Sequence, residues 1–100
     1  VNFAGALDAL TRGLRVSRDA RVRDWARAYQ ADPGGAPVLV LVPGSTITVT
    51  AGRPLGEAVP ELVGRAVEYA PHIDIVQGLR VQVWTPRQAD LLVEDWMVVP

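Results

Sequence analysis

No cysteine occurs in the chain, so disulfides, thiolate metal sites and a cysteine nucleophile are all excluded. Lysine is missing too, and the ten cations are all arginine, each a planar fork suited to carboxylate or phosphate. A single histidine, His72, rules out any site built on two imidazoles. No apolar run approaches a membrane span and the start lacks a charged-then-apolar secretory pattern, so the expected address is cytoplasmic. Neither sign of charge is in excess: the formal net charge is −1. That balance argues against a binder of nucleic-acid polymer, whose phosphate contacts need a basic surplus, and against an electrostatic membrane anchor.

What is present suits one small domain. With 100 residues, 49% of them hydrophobic and 21% charged, the chain is an ordinary globular sequence with a thin core, read as a single domain over 1–100. Asn2 is a good helix N-cap, Phe3, Ala6, Leu7 and Leu10 follow at helical spacing, and Gly13 is placed to end the helix. Between 15 and 29, Arg15, Arg18, Arg21, Arg23 and Arg27 are interleaved with Asp19, Asp24 and Trp25. This reads first as a solvated, salt-paired surface segment, and second as an arginine–tryptophan lip for an anionic aromatic ligand.

Residues 31–37 form a turn by composition. Val38 to Val42 then reads as a buried strand and Thr46 to Thr50 as a second, the two joined as a hairpin through Pro43-Gly44-Ser45. Leu62, Val63, Ala66 and Val67 fit a helical face with Pro60 in its first turn, although Gly64 weakens it. From His72 the period becomes two, with His72, Asp74 and Val76 facing one way and Ile73 and Ile75 the other. Gln77-Gly78 is the expected turn into Leu79, Val81 and Val83. Thr85-Pro86-Arg87-Gln88 predicts a capping box with Thr85 as N-cap and Gln88 at its third position, opening a helix to about Val93. Trp96 to Val99 closes as a strand. The expected fold is α+β: a small antiparallel sheet built from hairpins, carrying two short helices.

Few residues offer chemistry. His72 and Asp74, two apart on a strand, fit a base with its orienter or a pair of metal ligands, but a hydrogen-bonded polar pair at a sheet edge is preferred. Ser45 and Thr46 after Pro43-Gly44 are better explained as a turn than as a phosphate loop, which needs a lysine. Of the three tryptophans, Trp96 is expected in the core, and Trp84, beside a helix N-terminus, is the candidate for stacking on a ligand or a second subunit. Arg87, Asp90 and Leu91 share one helix face, with Gln88 and Leu92 pointing away, so Gln88 and Asp90 would converge on one ligand only at an interface between subunits.

The run Val83-Trp84-Thr85-Pro86-Arg87-Gln88-Ala89-Asp90-Leu91-Leu92-Val93-Glu94-Asp95-Trp96 resembles the end of the second Thoeris anti-defence family, small phage and prophage proteins. Their pattern there is a Trp, then Ser-Gln-x-Asp, then Leu-Ala-Glu-Asp-Trp. Asn2-Phe3 with Ala6-Leu7 and Leu10 looks like the family's opening helix, with Gly13, Val16 and Arg18 after it. Leu41 to Thr46 is similar to its central hairpin and His72-Ile73-Asp74 to its later one. The sequence departs from that pattern at Arg21-Val22, where the family has a Trp followed by Asn-Gly, so either Trp25 replaces that indole from a shifted position or the stacking group is missing. Arg87 stands where the family has Ser, Ala89 where it has Thr, and the segment 55–69 is longer.

The resemblance implies a sponge and not an enzyme: a homotetramer in the host cytoplasm that sequesters glycocyclic ADP-ribose, an immune signal made from NAD by a TIR enzyme, so that the Thoeris effector is not activated. Some members also hold cyclic dinucleotides in separate pockets. No cofactor and no metal are implied. On this reading Arg18 and Arg87 meet phosphate, Trp25 or Trp84 stacks on base, Asp74 and Asp90 hold ribose hydroxyls, and Gln88 divides between capping and base contact. Two alternatives remain: an enzyme cleaving such a signal with His72 and Asp74, and a structural oligomer with no small ligand.

Overall fold

Asn2 caps the first helix as its side chain predicts: its Oδ1 accepts from the Gly5 N–H at 3.0 Å, and helix α1 runs Phe3–Thr11. Gly13, at φ 82°, occupies the left-handed region that ends the helix. The structure, a computed structural model, describes residues 1–18, 27, 30–32 and 35–99. Trp25, the arginine-rich stretch around it, Pro33 and Gly34 lie outside the described residues, so the stacking role expected of Trp25 has no structural counterpart here.

The described strands are β1 (Arg15–Ser17), β2 (Val38–Val42), β3 (Ser45–Thr48), β4 (Ala66–Tyr69), β5 (His72–Gln77), β6 (Arg80–Val83) and β7 (Met97–Val99), with helices α2 (Pro54–Ala58) and α3 (Gln88–Leu92). The fold is α+β, with a five-stranded antiparallel sheet ordered β6-β5-β2-β1-β7 and a two-stranded sheet of β3 and β4. The chain divides into two compact units, Val1–Val42 with Ile73–Pro100, and Pro43–His72.

In the first unit, Val16 stands opposite both Leu39 and Val98 and has no exposed surface. That β1 is an interior strand corrects, for Arg15–Ser17, the reading of 15–29 as solvated surface; most of the rest of that segment lies outside the described residues. Three residues are too short for periodicity to register among arginines, and it is the pairing on both sides that holds them. One face of the sheet carries Val16, Leu39, Leu41, Ile73 and Ile75 against Ala6, Ala9 and Leu10 of α1, with Trp96 buried among them. The opposite face holds a smaller cluster of Ala36, Val38 and Val99, joined by Val76 and Met97. The β5–β6 hairpin forms as expected, but its register pairs Gln77 with Arg80, so the turn is Gly78-Leu79, one residue later than the sequence suggested. Gly78 has φ 63° and, among the described residues, no non-glycine has positive φ, which is the signature of a type II′ turn with glycine first.

The expected hairpin of 38–42 with 45–50 does not form. Tight hairpin turns need positive φ at their first central residue, and Pro43 is locked near −65°. The chain instead leaves β2 extended, and β3 pairs antiparallel with β4, Ser45 opposite Tyr69 and Thr48 opposite Ala66. This also overturns the helical reading of 60–67. Pro60–Leu62 is a single 3₁₀ turn, Gly64 turns the chain at φ 82°, and Ala66 and Val67 enter a strand. Apolar residues at 62, 63, 66 and 67 fit a helix face by spacing, yet both breakers act against continuation.

The second unit is held by short-range packing around Val49, whose N–H donates to the Arg65 carbonyl at 3.0 Å and whose carbonyl accepts from Gly64 at 2.9 Å. Gly56 is buried in α2, and a methyl added there would overlap the Thr50 carbonyl oxygen. Alanine ordinarily favours a helix over glycine by about 1 kcal/mol, but here the clash with backbone dominates. Gly56→Ala is expected to destabilise the Pro43–His72 unit by about 1–3 kcal/mol, seen as faster amide exchange at Val49 and Gly64. Unchanged exchange would show that the turn before α2 shifts without cost.

Candidate functional site

The loop after β6 begins with Trp84, whose N–H donates to the Ile73 carbonyl at 2.8 Å and so carries the β5–β6 ladder one residue past its end. This aims the indole at the helix-covered side of the sheet. There Trp84 meets Phe3 with centroids 5.8 Å apart and Trp96 edge-on at 5.9 Å, while Phe3 and Trp96 are also 5.8 Å apart. Trp96 is core, as expected, and Trp84 is half-buried.

From Trp84 the chain runs extended to Arg87, which caps α3. The helix therefore starts two residues later than Thr85-Pro86 suggested, and the capping residue at the third helical position is Asp90, not Gln88. Asp90 Oδ2 accepts from the Arg87 N–H at 2.7 Å, and the Asp90 N–H donates back to the Arg87 carbonyl at 3.0 Å. A carboxylate serves that position better than an amide, because it accepts only and is charged toward the helix N-terminus.

Asp90 has further partners. Its Oδ1 lies 2.6 Å from Arg18 Nη1, and its backbone carbonyl accepts from the Trp96 indole N–H at 2.8 Å. Arg18, just past β1, also places Nε 3.2 Å from Asp95 Oδ1. One guanidinium thus bridges two carboxylates that sequence distance had hidden. Burial pushes the Asp90 carboxyl upward, but the Arg87 N–H and then the bond and charge of Arg18 outweigh it and hold it below the ordinary carboxylate range. The hydrogen bonds to Asp90 and then Asp95 raise Arg18 above its own ordinary value.

Two adjoining hollows open on this cluster. One, of about 230 Å³, has an apolar floor of Leu39, Ile75, Trp84 and Trp96 with Ser17, Arg18, Pro37 and Asp90 at its edge. The other, of about 490 Å³, shares Arg18, Ile75, Trp84 and Asp90 and extends over Gln82, Thr85, Arg87 and Ala89. Together they offer an aromatic wall, an apolar floor and polar groups on the rim, the composition of a small-molecule site.

Of the residues singled out from sequence, Arg18, Trp84, Arg87 and Asp90 meet here. Asp74 does not: it lines neither hollow, and strand alternation puts it on the face away from Ile73 and Ile75, although Val83 opposite it borders the larger one. Gln88 is exposed in the first turn of α3 and lines neither hollow. His72 is exposed, with Nδ1 3.4 Å from the Ala70 carbonyl oxygen. Among the described residues no group of three His, Asp or Glu side chains is placed to hold a metal ion, and no helix is long and apolar enough to cross a membrane. Sequence reasoning missed Asp95, Gln82 and the floor residues Leu39 and Ile75. The strand alternation around Ile75 and the Asp95-Trp96 pair were the signals available. It also missed a separate hollow of about 380 Å³ in the second unit, lined by Ile47, Thr48, Thr50, Arg53, Leu55 and Tyr69 among others.

No curated protein matches the sequence significantly. The blocks that build this site, from the Asn2-capped helix through Arg18 to the Trp84–Trp96 run, fall within a single family description that spans nearly the whole chain. It is the Thoeris anti-defense 2-like domain, matched over residues 1–99, and the chain belongs to that family.

Proposed function

We propose that this protein binds a cyclic ADP-ribose-type immune signal, glycocyclic ADP-ribose, and sequesters it without chemical change, so that the Thoeris effector is not activated. Membership in an anti-defence family supplies the biological setting. The observation that carries the molecular reading is the half-buried Trp84 ring, which shares one hollow with the Arg18–Asp90 pair and Arg87. An indole face suits a purine, the carboxylates suit ribose hydroxyls, and an exposed guanidinium on the rim suits phosphate. Sequestration asks for slow release and needs no general acid or base. Asp74 and Gln88, absent from the cavity of one chain, would contribute only across an interface between subunits. Apolar side chains left uncovered on β6, Val81 at 59% and Val83 at 67% exposure, favour the homotetramer that the sequence resemblance implies.

The test is capture and release. The protein is mixed with glycocyclic ADP-ribose, filtered free of unbound nucleotide, denatured, and the released molecule identified. Intact ligand is expected. A cleaved product would instead promote His72 and Asp74 as catalytic candidates, and no retention would remove this ligand, leaving cyclic dinucleotides as the next probe. Trp84→Ala is expected to weaken retention by about tenfold or more, the size of one base–aromatic stack, with Trp84→Phe intermediate. Equal retention by the alanine variant would move the base elsewhere.

A further inference from the structure

Resting on the reading of this cavity as a nucleotide site, we propose that Arg18 is a positioning residue and not a phosphate ligand. It clamps α3 through Asp90 and Asp95 and leaves Arg87 as the cation that meets the ligand. The geometry carries this. Arg18 directs Nη1 to Asp90 at 2.6 Å and Nε to Asp95 at 3.2 Å, so two of its donor groups are already committed to carboxylates. The two carboxylates neutralise the Arg18 guanidinium and leave it little attraction for a phosphate. Arg87, in contrast, is exposed on the rim and in no ion pair among the described residues. The clamp also acts on the floor. Asp90 is fixed by Arg18 and by the Arg87 N–H, and its backbone carbonyl in turn fixes the Trp96 indole, against which Trp84 packs edge-on.

Asp95→Asn separates the two roles by sign. Asp95 is partly exposed, with 40% of its side-chain surface open, so the variant keeps its core. If Arg18 acts through its carboxylates, Asp95→Asn loosens the clamp and weakens binding of glycocyclic ADP-ribose by about tenfold, the scale of coupling within one hydrogen-bonded network. Combining it with Arg18→Gln adds little further loss. Arg18→Lys does not rescue, because an ammonium lacks the fork that bridges both acids. If Arg18 were the phosphate ligand, Asp95→Asn would free the guanidinium and tighten binding, and Arg18→Lys would keep much of the affinity. Either of those results overturns the proposal. A second readout uses unliganded protein: Arg18→Gln should speed solvent exchange of the Trp96 indole N–H, and unchanged exchange overturns the clamp. Should wild-type protein retain no nucleotide, the parent reading fails, and the indole exchange still decides by itself whether Arg18 positions α3.

Discussion

Trp96→Ala is expected to lower the stability of the sheet unit by about 3–5 kcal/mol, the range for truncating a buried large aromatic. Trp96 is 4% exposed and packs against Phe3 and Trp84, and its indole N–H satisfies the Asp90 carbonyl. Alanine therefore removes ring contacts on two sides and leaves that carbonyl without its donor. A domain of this size has only about 5–15 kcal/mol in total, and each kcal/mol moves the midpoint by about 4–8 °C. The thermal midpoint should fall by well over ~10 °C, with Trp96→Phe losing much less. A shift of only a degree or two for alanine would mean that the ring is not the keystone of this cluster. The same variant should lose nucleotide capture, because the wall behind Trp84 is gone.

Asp90→Ala is the second large effect, and it differs in kind. It removes the charged acceptor of the α3 cap and one of the two carboxylates of Arg18, while leaving the core intact. Hydrogen bonds to charged groups contribute about 1.5–3 kcal/mol each; with Arg18 about a third open to water and Asp95 still beside it, the expected loss is about 2 kcal/mol. The pH dependence identifies the cause. The carboxyl of Asp90 is held below its unfolded value, so its ionised form stabilises the fold at any pH above the ordinary carboxylate range. That contribution is lost as pH falls from about 4 through the folded value. The gap in stability between wild type and Asp90→Asn should consequently be full at neutral pH and narrow on acidification below about pH 4. A gap that stays constant through that window would show that the carboxylate charge has no part in it.

Elements whose determinants lie within a few residues were legible from sequence. Asn2 and Gly13 bound α1, and the alternation after His72 gave β5 and β6. The misreadings share a physical origin: each needed a partner distant in sequence. Val38–Val42 looked like half of a hairpin because Ser45–Thr48 is near, but it lies between β1 and β5, while β3 finds β4. Val16 is buried only because β2 and β7 flank it. In the site, Trp84, Arg87 and Asp90 were recognisable as one local run, but neither periodicity nor spacing brings Arg18 to Asp90 and Asp95. Asp74 was drawn into the ligand set by resemblance, although its own alternation with Ile73 and Ile75 already assigned it to the other face. Gln88 illustrates the opposite case, a plausible box displaced by two residues because Pro86 favours extended backbone before it and a carboxylate outcompetes an amide.

The order β6-β5-β2-β1-β7 makes β2 and β5 hydrogen-bonded neighbours although the whole Pro43–His72 segment separates them. Within that segment, Ser45 lies opposite Tyr69, so its entry and exit are side by side. Residues can be added or removed between those points without shifting the register of any strand in the larger sheet, and extra length there costs only slowly growing closure entropy. For engineering, this is the natural position at which to graft a foreign loop or reporter module, and for divergence within the family it is where chain length can drift while the strand order of the larger sheet is kept.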